Sequence, residues 1–485
     1  MSRLAALLAV ALGFALWDAA SFGLTDLDEG FYASVSAAMA RSGDWITPRL
    51  YGEPWFEKPA GLYWLMAVSI KLLGASEAAA RLPSILSFGL IAILLWAWGE
   101  RRLSPGAGQF AALVFLSSPL VFVLGRLALT DMALVLFFLI GLISLWETAK
   151  NPFWCVPLGI ATGAATLMKG PMALFLIGVL ILASLPLLRS NGFQFRYAIA
   201  ALLTAIATAA PWYFAVYAQH GGDFFNEFIV KQNLSRLAGG DKAHAPPNFL
   251  VGLPFYPVVL LLGMAPWADK LGALWRQPSN PVEQFLWRWA LIVFALFTIS
   301  GTKLPHYILP TTPALALLIG ACLARNARFS SDVAVYGQLA MGLLWVFLSV
   351  GLAVFLQSPW IALLAALPYV RFAISRTATA TVMLAIAGFG FHVGLTAYDA
   401  RFLAAPRELA RFVPPAAELG VFDVKPGLPS LDFYVSGRAV PCETLEEALA
   451  LLNNGGYCLT KGRKPQIVAP LVREGGEYAL YGPVQ

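Results

Sequence analysis

The fold class is decided by residues 82–150, LPSILSFGLIAILLWAWGERRLSPGAGQFAALVFLSSPLVFVLGRLALTDMALVLFFLIGLISLWETAK. This stretch contains three apolar runs, near 82–98, 107–125 and 131–149. Each run approaches the about 20 residues that a helix needs to cross a bilayer. Two arginines, Arg101 and Arg102, separate the first two runs. The stretch therefore predicts three consecutive transmembrane helices.

The same pattern extends along most of the chain. Further apolar runs lie near 4–24, 153–169, 171–188, 197–217, 250–268, 287–301, 308–324, 333–357, 359–372 and 377–397. The 485 residues are 59% hydrophobic and 12% charged, whereas soluble domains carry about 25% charged residues. This composition excludes a soluble enzyme, a disordered protein and a nucleic-acid-binding domain. It predicts a polytopic α-helical membrane protein of about 13 transmembrane helices, with membrane lipids around it and no nucleic acid partner.

The basic residues predict the orientation, because cytoplasmic loops are enriched in Lys and Arg. With a cytoplasmic N-terminus, the cytoplasmic loops contain Arg101, Arg102, Lys150, Arg189, Arg196, Lys270, Arg276, Arg325, Arg328, Arg371 and Arg376. Thirteen crossings then place the C-terminus outside. The first apolar run is either a signal peptide or an uncleaved helix. Asp18 interrupts its apolar region and favours the uncleaved helix.

Two domains are expected from the change in composition near residue 398. Residues 1–397 form the membrane domain, with long outer loops at 25–81 and 218–249 whose aromatic content predicts ordered helices at the interface. Residues 398–485 are richer in charge, and short strands alternate with helices there. We expect a small α/β domain outside the membrane. Its Cys442 and Cys458 form either a disulfide or two reduced thiols.

The conspicuous polar residues all fall in segments predicted to be outside. These segments are Asp28-Glu29, Phe56–Pro59, Arg126–Asp131, Lys169–Pro171, Lys231–His244 and Thr302–Tyr307. Charged groups at the edge of a membrane domain are costly, so they indicate function. Carboxylates suit metal ligation or base catalysis, and Lys, Arg and Tyr suit a phosphate. The sequence therefore predicts a cavity that is faced by several carboxylates and several cations.

Each of these residues also has a plain structural explanation. Asp28 and Asp131 could cap helices, and Glu57-Lys58 could be a surface ion pair. Lys169 and Lys303 could extend to lipid headgroups. The common location of all these residues favours the cavity over these separate explanations.

Four segments of the first outer loop carry a family resemblance: Leu27–Ala33 (LDEGFYA), Ser42–Pro48 (SGDWITP), Trp55–Pro59 (WFEKP) and Ala80–Ser84 (ARLPS). The order continues with Leu129–Asp131 (LTD), Met168–Pro171 (MKGP), Pro266-Trp267 and Lys303–Pro310 (KLPHYILP). Over about residues 1–325, the chain resembles the aminoarabinose transferase and protein mannosyltransferase group. These are membrane glycosyltransferases of the GT-C fold that use polyprenyl-phosphate sugars at the outer face of the membrane.

The resemblance and the outer location together give each residue an expected role. Asp28 and Asp131 are expected to be catalytic. Contacts to the donor phosphate are expected from Lys58, Lys169, Arg236, Lys303 and Tyr307. The acceptor or the cavity is expected to contact Glu29, Tyr32 and His306. No cofactor is certain. A divalent metal stays open, with Glu57 and His244 as its candidate ligands.

The second outer loop departs from the family pattern. Relatives that modify lipid A have Glu-His-x-x-Arg-Phe there, and this chain has Gln232–Leu237 (QNLSRL). The resemblance implies an inverting transferase of the bacterial inner membrane whose active site and C-terminus are periplasmic. Its donor is a polyprenyl-phosphate-linked sugar, and its acceptor is a lipid A or lipopolysaccharide-type molecule or another envelope lipid or glycan.

Three other functions stay open: a protein O-mannosyltransferase-like enzyme, a flippase or exporter of lipid-linked glycans, and a silent subunit that binds lipid-linked sugar. Coupled transporters place ionisable groups near the middle of the bilayer. In this chain Val333–Val370 has no charged residue, and the acids cluster outside. This distribution favours an enzyme at the outer face.

Overall fold

Apolar helices make up most of the computed structural model, which describes residues 2–26, 28–235, 246, 248–265, 267–270, 280–325, 343, 346–366, 378–424 and 427–484. The helices up to residue 224 are α1 (Ser2–Asp18), α2 (Asp28–Ser42), α3 (Gly61–Leu73), α4 (Glu77–Arg102), α5 (Ala107–Ser117), α6 (Pro119–Leu124), α7 (Thr130–Thr148), α8 (Cys155–Lys169), α9 (Met172–Ser190) and α10 (Phe195–Phe224). They are followed by α11 (Phe249–Gly252), α12 (Phe255–Gly263), α13 (Pro281–Ile299), α14 (Thr312–Ala324), α15 (Val346–Phe355), α16 (Ala378–Tyr398), α17 (Ala404–Ala410), α18 (Ser430–Tyr434) and α19 (Leu445–Asn453).

Within the described residues, six helices are long and apolar enough to cross a membrane. They are Glu77–Arg102, Thr130–Thr148, Met172–Ser190, Phe195–Ser235, Pro281–Ile299 and Pro305–Ala324. Shorter apolar helices are Ala5–Asp18, Gly61–Leu73, Ala107–Ser117, Phe249–Gly263 and Val346–Phe355. A helical segment falls in each predicted span, and several are shorter than predicted. The number of crossings therefore stays a prediction.

Small residues let the helices approach closely. A Cβ atom on Gly108 of α5 would lie 2.1 Å from the backbone oxygen of Trp96 in α4. Gly159 and Gly163 of α8 face α10 in the same way, at 2.4 Å from the oxygen of Ala201 for the first. Glycines spaced by four residues are typical of close helix contacts in membranes. These contacts hold α5 close to α4 and α8 close to α10.

The outer loops contain the helices that their aromatic content predicted. The first loop folds as α2, a two-residue hairpin of β1 (Arg49–Leu50) and β2 (Glu53–Pro54), and α3. Its Trp64 indole donates to the Trp45 oxygen (2.7 Å) within the loop. The second predicted loop begins as helix, because α10 continues into a π-helix at Phe225–Ser235.

The C-terminal region is a small sheet domain, as predicted. Its five strands are β3 (Leu419–Phe422), β4 (Ala439–Cys442), β5 (Tyr457–Lys461), β6 (Leu471–Gly475) and β7 (Tyr478–Tyr481). They lie in the order β4-β3-β5-β7-β6, and β3 is parallel to both of its neighbours. Strands β3 to β5 alternate with helices α18 and α19, as the sequence predicted. The antiparallel β6–β7 hairpin was not predicted.

Cys442 and Cys458 are both buried free thiols in this domain. They lie on β4 and β5, which flank β3 on opposite sides. Strands separated by one strand are about 9.6 Å apart, which exceeds the about 7 Å limit between the Cα atoms of a disulfide. Of the two alternatives, the structure has the reduced thiols.

Candidate active site

Asp28 begins α2 and is exposed. The buried Tyr32, one turn later on the same helix, donates its hydroxyl to Asp28 Oδ1 at 3.3 Å. Burial raises the pKa of Tyr32 well above its usual range, and the nearby Asp28 and Glu57 carboxylates raise it further. Tyr32 is therefore a hydroxyl donor that holds one oxygen of Asp28.

Glu57 and Lys58 lie between β2 and α3, where Pro54 and Pro59 limit the backbone. Lys58 Nζ contacts Glu57 Oε1 at 2.8 Å, and both side chains are largely covered. The Glu57–Lys58 pair is therefore largely buried, whereas the alternative structural explanation was an exposed surface ion pair.

Asp131 and Lys169 form a second carboxylate–ammonium pair. Asp131 is in the first turn of α7 and Lys169 is the last residue of α8, and Lys169 Nζ lies 2.6 Å from Asp131 Oδ1. Gly170 has a φ of 91°, so the chain can leave α8 directly after Lys169. The Lys169 ammonium also lies 4.7 Å from the centre of the Tyr307 ring.

Electrostatic interactions join these residues into one group. The Asp131 carboxylate interacts with Lys169, His306 and Lys58. His306 in turn interacts with Asp28. We name Asp28, Glu57, Lys58, Asp131, Lys169 and His306 the open cluster, because all of them except the buried Asp131 keep some solvent-exposed surface. Tyr32 and Tyr307 border the open cluster. Eight of the twelve predicted site residues therefore lie together.

Glu29 differs from its neighbour Asp28. It is fully buried, and its carboxylate contacts Arg81 Nε and Nη2 at 2.9 and 3.1 Å. It also accepts the backbone N–H groups of Thr25 (3.0 Å) and Ala128 (2.7 Å). The remaining Arg81 N–H groups donate to backbone oxygens of the α1–α2 connection. This Glu29–Arg81 pair gives no support to the cavity role that was expected of Glu29.

A third charged group is buried between α1, α16 and the segment after α6. Asp18 pairs with the buried Arg126, and His392 Nδ1 lies 2.5 Å from Asp18 Oδ1. The His392 ring stacks on Trp17, with ring centres 4.1 Å apart. The acid that interrupts the first apolar run therefore has one fully buried partner, Arg126, and one partly buried partner, His392.

Lys303 contacts backbone oxygens and an aromatic ring. Its ammonium donates to the backbone oxygens of Phe297 (2.8 Å) and Thr298 (2.5 Å) at the end of α13. It also lies 5.3 Å from the centre of the Tyr256 ring. Burial lowers the pKa of Lys303. Lys303 thus caps a helix, and these contacts give no support to a shared anion site with Lys58 and Lys169.

Two predicted residues, Arg236 and His244, lie outside the described residues. Within the described part of the chain, no three His, Cys, Asp or Glu side chains converge as metal ligands do. Glu57, the other candidate ligand, is paired with Lys58. A divalent metal stays a prediction.

A cavity of about 780 Å³ adjoins Glu57. The segment Pro54–Glu57 forms one wall, and the other wall comes from the end of α10 and the π-helix. The second wall includes His220, Asp223 and Glu227, which the sequence did not assign to the site. They were missed because no motif marks them.

The comparisons with known proteins agree with this geometry. The family model described as dolichyl-phosphate-mannose-protein mannosyltransferase matches residues 57–214. An undecaprenyl phosphate-alpha-4-amino-4-deoxy-L-arabinose arabinosyl transferase of Pseudomonas aeruginosa is 30% identical over 72% of this chain and 65% of its own length. A protein of that name from Pseudomonas fluorescens is 32% identical over 65% of this chain and 55% of its own length. The chain is therefore similar in sequence to the aminoarabinose transferases over about two thirds of its own length.

The fold has a close counterpart among solved structures. ArnT from Cupriavidus metallidurans, in a crystal structure bound to undecaprenyl phosphate, superposes with a TM-score of 0.80 at 21% identity. That match covers 99% of this chain and 97% of the other. The predicted resemblance and the GT-C fold are thereby confirmed, and the chain is a multi-pass membrane protein. The aligned part of the chain spans about half the length of some curated relatives, 55% for the protein from Pseudomonas fluorescens.

Proposed function

We propose that this chain is an inverting glycosyltransferase that uses a polyprenyl-phosphate-linked sugar. The observation that carries the proposal is the open cluster, in which three carboxylates, two ammonium groups and a histidine come from four helix ends and the β2–α3 connection. Two cations beside carboxylates suit the transfer of a group away from a phosphate. The relative from Cupriavidus metallidurans binds undecaprenyl phosphate, which supports a donor of this class.

In the proposed reaction the acceptor oxygen attacks the anomeric carbon from the face opposite the lipid phosphate. The bond between the anomeric carbon and the phosphate oxygen breaks, and the phosphate leaves with the electron pair. Lys58 and Lys169 stabilise the negative charge that grows on the phosphate. Asp28 takes the proton when the acceptor is a hydroxyl. A phosphate acceptor needs no base, and Asp28 would then orient it.

Asp131 has a supporting role in this scheme. Its carboxylate holds Lys169 at 2.6 Å, so it fixes the position of one ammonium group. The cavity beside Glu57 gives the acceptor a route to the open cluster from the side of the π-helix.

We further propose that the protein lies in the bacterial inner membrane with the open cluster on the periplasmic side. The basic loops support this orientation. Residues 1–397 would be the transferase domain, and residues 398–485 a periplasmic domain. The acceptor is a lipid A or lipopolysaccharide-type molecule or another envelope lipid or glycan.

The test is a transfer assay with purified protein. It is incubated with a panel of polyprenyl-phosphate sugars and a membrane glycolipid extract, and the products are identified by mass spectrometry. We expect one donor to lose its sugar to one acceptor, and the Asp28→Asn protein to show no product. Donor lipid that crosses proteoliposome membranes unchanged, without any transfer, would instead identify a flippase.

A further inference from the structure

The C-terminal domain makes hydrogen bonds to the chain segment that precedes Asp28. The Gly23 N–H donates to Asp399 Oδ1 (2.8 Å), and the Leu24 N–H donates to the Tyr434 hydroxyl (2.9 Å). Both backbone groups belong to the connection between α1 and α2, and both acceptors come from beyond residue 397. Two successive N–H groups just before Asp28 are therefore held by side chains that lie far away in the sequence.

The same connection is held from its other side. The Ser430 N–H donates to Asp26 Oδ1 at 3.0 Å, and Ser34 of α2 donates its hydroxyl to the Pro429 oxygen at 2.8 Å. Between these contacts, a Cβ atom on Gly30 would lie only 2.7 Å from the Ser430 nitrogen. Helix α18 thus lies directly against the first turns of α2.

Tyr434 is the central residue of this contact. Its hydroxyl accepts from Leu24 and donates to Glu77 Oε1 at 3.1 Å. Glu77 is in the first turn of α4, one turn before the Arg81 that binds Glu29. One hydroxyl therefore connects the start of α4 to the connection before α2.

We propose that Tyr434 is a positioning residue for transfer. It does not touch the open cluster, and it acts by fixing Leu24, and through it Asp28 at the start of α2. A displacement of about 1 Å in a reacting group costs about 100-fold in rate. The proposal rests on the proposed glycosyltransferase function and assigns the C-terminal domain a part in it.

The test compares Tyr434→Phe with Tyr481→Phe. Tyr481 is a matched control, because its buried hydroxyl also accepts one backbone N–H, from Lys464 at 2.7 Å, and the contact stays within the C-terminal domain. Each full-length protein is measured for amide hydrogen exchange of residues 23–34, for kcat, and for KM of the polyprenyl-phosphate sugar. Thermal unfolding is used to check that both variants are folded.

We expect Tyr434→Phe to speed exchange at residues 23–34 and to lower kcat by about 10-fold to 100-fold, with KM for the donor unchanged. Tyr481→Phe should change neither exchange nor kcat. Unchanged exchange in Tyr434→Phe overturns the proposal, and so does faster exchange with an unchanged kcat. A loss of unfolding midpoint with equal losses of kcat in both variants also overturns it, because the hydroxyl then only stabilises the domain.

The two proposals fail in different ways. A wild-type protein that transfers no sugar from any donor overturns the proposed function, and the catalytic part of this inference with it. The exchange measurement still decides whether Tyr434 fixes the connection before α2. An active wild type with an unaffected Tyr434→Phe overturns the positioning role alone.

Discussion

Two charged regions less than a turn apart on α2 have opposite designs. The Glu29–Arg81 pair is fully buried, and every polar atom of both side chains has a partner. The open cluster that begins at Asp28 adjoins a cavity at Glu57, and its two carboxylate–ammonium pairs keep some exposed surface at Glu57, Lys58 and Lys169. The first region has no capacity left for a ligand, whereas the second lies where a ligand can reach it.

The two regions differ in how fully their charges are paired and hydrogen-bonded inside the protein. Burying a charge is costly unless it is paired and hydrogen-bonded. Glu29 meets that condition through Arg81 and the backbone on two sides, so it holds α2, α4 and the segment after α6 together. Asp28 is exposed and contacts Tyr32 instead. Neighbouring acids in one motif thus have different burial and different partners.

The largest expected effect is on the open cluster. Asp28→Asn should lower transfer by about 10²–10⁴-fold, because the amide keeps the shape and loses the charge and basicity. The unfolding midpoint should stay that of the wild type, since Asp28 is exposed. The assay is single-turnover transfer from the polyprenyl-phosphate sugar. Near-normal turnover would return Asp28 to the role of a helix cap.

Removing one partner of the Glu29–Arg81 pair should lower the stability of the fold, whereas Asp28→Asn should lower transfer. Glu29→Ala leaves Arg81 buried without its partner, and breaking such a pair costs about 3–5 kcal/mol of stability. We expect a loss of folded protein in detergent, measured by thermal unfolding and size-exclusion chromatography. A stable, folded Glu29→Ala protein without transfer activity would contradict this prediction, because it would show that Glu29 acts in transfer and not only in folding.

The two cations of the open cluster are expected to act on the leaving phosphate. Lys58→Ala and Lys169→Ala should each lower kcat by about 10²–10³-fold. They should change donor affinity less, because the charge on the phosphate grows as the sugar bond breaks. Lys461→Ala in the C-terminal domain, where the lysine is exposed, is the control. Small losses in both variants with unchanged binding of polyprenyl phosphate would contradict this role.

Lys303 should behave as a structural cation. Its ammonium caps α13, and a cation at a helix C-terminus contributes about 0.3–1 kcal/mol. Lys303→Met should therefore lower the unfolding midpoint slightly and change transfer by less than about 5-fold. A loss as large as that of Lys58→Ala would restore the predicted contact between Lys303 and the donor phosphate.

The smallest expected effect is a pH dependence of the contact between α2 and the C-terminal domain. Burial raises the pKa of Asp26 and of Asp432 to about 6. The Glu29 carboxylate raises the pKa of Asp26 further, whereas the Arg41 guanidinium limits the rise at Asp432. A raised pKa means that the folded state favours the protonated form. The stabilisation that the two protonated carboxyls provide is complete below pH 3.8, their pKa in the unfolded chain. It is lost as the pH rises through about 6, their pKa in the folded protein. The unfolding midpoint should therefore fall between pH 4 and 7.

The variant that tests this dependence is Asp26→Asn combined with Asp432→Asn, because amides do not titrate in this range. Its unfolding midpoint should change less between pH 4 and 7 than that of the wild type. Asp423→Asn, on the exposed side of the same domain, is the control. Equal slopes in all three proteins would contradict a role for the two carboxyls.

The sequence by itself determined the class of fold and most of the open cluster. Helix formation in a bilayer depends on the length of apolar runs, which are local properties of the chain. The short motifs that contain Asp28, Glu57-Lys58, Asp131 and Lys169 carry their chemistry in neighbouring residues, so the amino-acid order alone makes them recognisable. The β6–β7 hairpin was missed because Leu471–Gly475 is largely exposed and has no apolar alternation.

Only the tertiary structure decided which charges are buried among protein partners and which keep exposed surface. Glu29 and Lys303 have the residue types of a binding site, and their roles follow from partners that the sequence does not announce, Arg81 and the carbonyls of α13. Tyr434 and Leu24, which share a hydrogen bond, are 410 positions apart in the chain. Burial and hydrogen bonding are set by segments that meet in space, and a charge acts on a ligand only where those segments leave it accessible.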